Sequence, residues 1–237
     1  MEAHVWADAI RLNLRMEDAK ACILVLAGVR VDRFNETREC RVSRRTPTEA
    51  PWMVLIGPAG TGKTTLGREI AARTQRPFID LDALADEYYA QVGWSIARLR
   101  ERIAAVGRLA AEAEWEPARA HAVACAVADH REAIIALGAG HTSYTGHQQL
   151  ATVRTALSCC PDVIRLLPSP DRGTSLSVLR RRCMASKGRS WIIDGHDFLA
   201  HWLDDNGTRL VATRTVYTLD ETPAQTAARL LRGYGRR

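Results

Sequence analysis

The chain of 237 residues contains no run of about eighteen uninterrupted apolar residues, so a membrane-spanning helix is not expected. No basic segment opens it. The first apolar run, residues 21–29, follows Glu17, Asp18 and several arginines, so a secretory signal is not expected either. The six cysteines (Cys22, Cys40, Cys125, Cys159, Cys160 and Cys183) form no C-x-x-C pair with metal-site spacing. Reduced thiols in a cytoplasmic protein are the expectation, with adjacent Cys159 and Cys160 ending a helix. Also missing is a long basic run interleaved with aromatics. The formal net charge of +6 therefore points less to nucleic acid than to phosphate-bearing ligands, which also attract Arg and Lys. What is present suits a globular chain: 46% hydrophobic and 25% charged residues allow a sizeable core in one domain, or one domain with an appendage. Nothing in the sequence specifies an oligomeric state.

Residues 1–50 stand apart from the rest as an N-terminal extension. Val5 to Met16 fits a short amphipathic helix, Ala21 to Val31 a strand or second helix, and Arg30 to Arg45 an exposed linker. Two readings stay open: an over-long reading frame, since Met53 falls just inside the first strand of the following unit, or an appendage that binds a partner or covers a sheet edge. From Trp52 onward, short apolar runs alternate with helical stretches. Strands are expected at 52–56, 77–80, 133–137, 162–167 and 211–219. Helices are expected after residue 64, at 83–89, along a stretch to about residue 128 interrupted at Gly107 and Pro117, and at 148–158, 174–185 and 223–231. Such alternation predicts an α/β fold, a parallel sheet with helices on both faces, whose ligands bind beyond the carboxyl ends of the strands.

Gly57-Pro58-Ala59-Gly60-Thr61-Gly62-Lys63-Thr64 fits G-x-x-x-x-G-K-[ST], a phosphate-cradling P-loop. An apolar strand precedes it, and Leu66, Ile70 and Arg73 place a helix behind it, as the mechanism requires. Gly57, Gly60 and Gly62 let the backbone wrap a phosphate, and the amides of Thr61 to Thr65 face it from the helix N-terminus. Lys63 is expected at the β- and γ-phosphates of ATP and Thr64 at Mg²⁺. Asp80, at a strand end taken to lie beside the P-loop strand, suits the metal, directly or through water. Asp82 would face an acceptor hydroxyl, accepting its proton or orienting it, or would cap the helix starting at Ala83. Gly138-Ala139-Gly140 permits close approach of an acceptor, and His141 follows. The basic residues Arg180, Arg181, Arg182, Lys187 and Arg189 lead into a polar loop that would close over the nucleotide, with Arg189 reaching the phosphates and Arg181 flanking the adenine.

With these residues in place, the chain from Trp52 to Leu231 resembles the shikimate kinase family of small P-loop kinases. Besides the P-loop, the resemblance rests on Phe78-Ile79-Asp80-Leu81-Asp82, on Gly93-Trp94-Ser95-Ile96, on the strand ending in Gly138-Ala139-Gly140, and on Val216 to Pro223. It implies ATP with Mg²⁺, transfer of the γ-phosphoryl group to a hydroxyl of a small molecule, Pro223 beside the adenine, and a lid at about residues 187–206. It also implies an arginine for the acceptor carboxylate in an F-R-x-x-E segment. The best match here is Trp115-Glu116-Pro117-Ala118-Arg119, which puts Glu116 in the arginine's place; a second expected arginine falls near Asp204. Those two acids suggest an acceptor other than shikimate, a neutral polyol or an amine-bearing molecule. Two further readings remain: a nucleoside or nucleotide kinase, with Tyr88, Tyr89 and Trp94 near a base, and a non-catalytic nucleotide-binding regulator.

Overall fold

The computed structural model describes residues 50–188 and 190–234. The expectations for residues 1–49 and for Arg189 fall outside the described residues. Five strands form one parallel sheet: β1 (Met53–Ile56), β2 (Phe78–Asp80), β3 (Ile134–Ala136), β4 (Val163–Leu167) and, counting a small hairpin of β5 (Ile192–Ile193) and β6 (His196–Asp197), β7 (Arg214–Tyr217). The order is β2-β3-β1-β4-β7, with Met53 opposite Ile134, Val54 opposite Val163, and Ile164 opposite Arg214. The strand bearing Asp80 was expected beside the P-loop strand, but β3 lies between them. The burial pattern explains why. β3 is buried at all three residues and takes an interior place, whereas β2 is half-buried throughout and forms an edge.

The helices are α1 (Lys63–Thr74), α2 (Leu81–Ala90), α3 (Ile96–Val106), α4 (Arg108–Asp129), α5 (His147–Leu157), α6 (Arg172–Lys187), α7 (Phe198–Asp204), α8 (Asn206–Val211) and α9 (Pro223–Arg232). Their ends follow local chemistry. Ser95 accepts a hydrogen bond from the Arg98 amide at 3.0 Å, and Asp171 one from Thr174 at 2.7 Å. Thr222 and Gln225 form a capping box around Pro223, the first residue of α9. Gly107, at φ 81°, separates α3 from α4 as expected. Pro117 does not interrupt α4. Ala111, Trp115, Ala118, Ala122 and Ala126 continue one buried face across it, and tertiary packing outweighs the lost backbone bond.

Side-chain alternation divides the core. Val54, Ile56 and Ile135 face α2, α4 and α5; Met53, Leu55, Ile134 and Ile164 face α1 and α9. A third cluster joins Leu176 and Leu179 of α6 to Phe198, Leu199, Trp202 and Leu203 of α7, and reaches Ala59 of the P-loop. The second half of the segment expected to be a polar lid is therefore a packed helix. No helix among the described residues is long and apolar enough to cross a membrane.

Candidate active site

The P-loop joins β1 to α1 beyond the carboxyl end of the strand. Gly57 is indispensable to it: at φ 129°, a Cβ would stand 2.6 Å from the Leu166 carbonyl oxygen of the neighbouring strand. Lys63, buried at the start of α1, donates to the carbonyls of Gly57 (2.7 Å) and Pro58 (2.9 Å). The Thr64 hydroxyl donates to Asp80 Oδ2 at 3.0 Å, although β3 lies between the strands β1 and β2 that lead to them. A lysine arched over a glycine loop, next to a hydroxyl already paired with a carboxylate, is the donor set that a metal-bound polyphosphate requires.

These groups open onto one cleft of about 730 Å³. Gly60, Thr61, Gly62, Lys63, Thr64, Thr65, Asp80 and Asp82 all line it, as do Ala139, Gly140, His141 and Pro223. Thr218, Glu221 and Thr226 stand around Pro223. Arg181 is exposed and does not line the cleft; Arg182, one residue on, does, and burial and then Arg181 lower its pKa. α6 turns the second side chain, not the first, toward the cleft.

At the opposite end, α2 begins at Leu81, so Asp82 lies within its first turn and is not the N-cap; Asp80 holds that position. The Asp82 side chain is 64% exposed, while His141 beside it is 3% exposed, with Nδ1 3.8 Å from Asp82 Oδ1. His141 Nε2 meets the Tyr89 hydroxyl at 2.8 Å. Burial lowers the His141 pKa to about 4, against the opposing pull of Asp82, so the ring is neutral at physiological pH. Burial likewise raises the Tyr89 pKa, so its hydroxyl stays protonated. Gly138 is filled from its own side of the cleft: a Cβ there would collide with Asp82 and with His141 Nδ1, 2.5 Å away. Its role is to admit those two side chains, and it does not line the cleft.

Glu116 is not in the cleft. Its carboxylate accepts from the Thr145 amide (2.7 Å), the Thr145 hydroxyl (2.8 Å) and the Gly146 amide (2.9 Å), capping α5 from α4. Asp204 is also elsewhere, held by Arg172 at 2.6 Å on the outer surface. The side chains that do reach the cleft from α4 are Arg108, Glu112, Trp115 and Arg119. Glu112 pairs with Arg108 and lies 3.7 Å from Arg119 Nη2; Arg119 also donates to the Gly140 carbonyl. Two acids, Asp82 and Glu112, thus balance two arginines, and the expected reversal of charge at the acceptor end is not found. Their spacing of four, three and four residues marks one helical stripe. That stripe was visible in the sequence as charged residues and a tryptophan where an apolar face would otherwise run.

Residues 53–113 match the ATPase family associated with various cellular activities (AAA). Over 60 residues the chain is 43% identical to a shikimate kinase of Syntrophus aciditrophicus, covering 22% of this chain and 31% of that protein. Over 45 residues it is 49% identical to a shikimate kinase of Synechococcus sp., covering 19% and 22%. The chain thus spans at most about a third of the length of these curated relatives. The fold extends further. A shikimate kinase from Acinetobacter baumannii, solved in complex with shikimate, superposes with a TM-score of 0.55 at 22% identity, covering 80% of this chain and 95% of that one. The Bacteroides thetaiotaomicron shikimate kinase does so at 0.53 and 20%, covering 78% and 99%. The chain thus shares the P-loop fold of these shikimate kinases and resembles them in sequence over a segment of about 60 residues.

Proposed function

We propose that the protein is an ATP-dependent phosphotransferase acting on a hydroxyl of a small molecule, in the cytoplasm. The observation that carries this reading is the opening of Asp82 onto the same cleft as Lys63 and the Thr64–Asp80 pair. Bound Mg²⁺·ATP would supply the γ-phosphoryl group, held by the P-loop amides and Lys63, with Thr64 and Asp80 toward the metal and Pro223 and Arg182 toward the adenine. Lys63 neutralises charge on the transferred group. Asp82 orients the acceptor hydroxyl and takes the proton it loses. Buried, neutral His141 lies beside Asp82, 3.8 Å away, and does not compete for that proton.

The acceptor in this reading is a neutral polyol and not shikimate. Support comes from the α4 stripe. Arg108 is paired with Glu112 through Nη2, and Arg119 Nη1 donates to the Gly140 carbonyl with Glu112 close by, so this stripe presents arginines already balanced by an acid, which suits a carboxylate less than a free arginine fork would. The test is an ATP-consumption assay over polyols, aminocyclitols, sugar acids, nucleosides and shikimate, with Asp82→Asn alongside. Asp82→Asn is expected to lower turnover at least about 100-fold while leaving Mg·ATP affinity within a few-fold. Efficient phosphorylation of shikimate would reject the acceptor assignment. Intact ATP binding with no transfer to any acceptor would favour a regulator instead.

A further inference from the structure

A second recess of about 380 Å³ lies between β4, β7, the start of α6 and α7, and shares no lining residue with the active-site cleft. Its base is Arg165, in the middle of an interior strand of the parallel sheet, opposite Thr215. Such positions are normally apolar. Arg165 is only 6% exposed, yet no carboxylate of the described residues lies within ion-pair distance of it; Asp204 and Asp205 act on it only from further away. One of its five donors is used: Nη2 bonds the Leu203 carbonyl at 2.6 Å. Its Nε is buried without an acceptor.

The surroundings offset this charge only in part. Arg172 and Arg209 also line the recess, and Asp204 is the one carboxylate there. Arg172 takes up both Asp204 oxygens, at 2.8 and 2.6 Å. The exposed Arg209 side chain makes no hydrogen bond or ion pair among the described residues. Burial, and next Arg209, lower the Arg165 pKa, the mark of a cation facing a second cation. A guanidinium cannot shed its proton to escape that cost, so a buried one calls for an anion.

We propose that this recess is a second anion site, in which Arg165 and Arg209 bind a phosphate group, free or carried on a small molecule. The forked donors of arginine suit a phosphate, and the volume admits a small organic substituent beside it. Leu203, whose carbonyl orients Arg165, directly follows Trp202, which lines the active-site cleft, so tryptophan fluorescence offers a readout of occupancy.

The test uses the full chain with the nucleotide cleft saturated by Mg·ADP. Inorganic phosphate and glycerol 3-phosphate are titrated separately, with sodium chloride at matched ionic strength as the control. Calorimetry should give a saturable isotherm for at least one of the two, and the thermal midpoint should rise with it. Tighter binding of glycerol 3-phosphate would identify a phosphorylated metabolite, and equal or tighter binding of inorganic phosphate would identify the free ion; both support the site. Arg209→Ala, on an exposed face, should weaken binding at least tenfold, and Arg165→Met should abolish it. Arg165→Met keeps the volume and removes a buried unpaired charge, so it should fold with a midpoint at or above that of the wild type. The proposal falls if neither phosphate shifts the midpoint beyond chloride, or if both variants titrate like the wild type.

Discussion

At the scale of single residues, the acceptor end of the cleft is set by a buried imidazole. His141 has a pKa of about 4 when folded, against an ordinary value of 6.5, because burial disfavours its charged form. Between those two pH values the unfolded chain binds more protons than the native one, so stability rises with pH across that window. Equivalently, it is lost as pH falls from about 6.5 toward 4. Burial also lowers the pKa values of His121 and His201, and they act in the same direction. The urea midpoint should therefore drop between pH 7.5 and pH 5, and His141→Gln should drop less. Equal slopes for the two proteins would contradict a neutral His141.

At the scale of elements, α4 performs two jobs on two faces. One stripe, from Arg108 to Arg119, lines the cleft, while Glu116 turns away to hold the start of α5. α5 needs that help, since its N-cap, Gly146, has no side chain to offer. Glu116→Ala would leave three donors, two of them on exposed Thr145, without their acceptor. It should cost about 1–2 kcal/mol of stability, an order-of-magnitude figure for charge-assisted bonds whose donors water can partly serve instead. The acceptor KM of the folded fraction should stay unchanged. A raised KM with unaltered denaturation would return Glu116 to the substrate site. Glu112→Gln should behave in the opposite way, raising the acceptor KM severalfold with a smaller change in stability, as steady-state kinetics and urea melts on the same preparation would show.

At the scale of the whole domain, the cleft sits where the sheet's two faces and the α6–α7 cluster meet. The P-loop touches that cluster through Ala59, and α6 and α7 contribute Arg182 and Trp202 to the cleft walls. Ligand binding is thus linked to folding of three packed layers. Mg·ATP should raise the thermal midpoint progressively, with a stabilisation of about 2.7 kcal/mol at a hundredfold excess over its Kd. Lys63→Ala should largely remove that response, and omission of Mg²⁺ should reduce it, both readable by calorimetry. A midpoint insensitive to Mg·ATP would rule out nucleotide binding by the native fold.

Local and contiguous features were legible in the chain itself. The P-loop needs eight adjacent residues, and the strands and helices around it follow from periodicity over short windows. Asp80 and Asp82 could be placed because a strand end points toward the ligand side in any parallel sheet. Contacts between distant segments were not legible. A sequence does not state which strands are neighbours, and β3 entered between β2 and β1 because it alone of the two is fully buried. The match at Trp115 to Arg119 suggested Glu116 for the cleft, but Trp115 and Arg119 line it while Glu116 between them turns away; a helix turns about 100° per residue, so the face is decided by what packs behind it. The same holds for Arg165: its sequence neighbourhood reads as an ordinary buried strand. Only the folded arrangement, with Asp204 drawn off by Arg172, leaves its charge offset only in part.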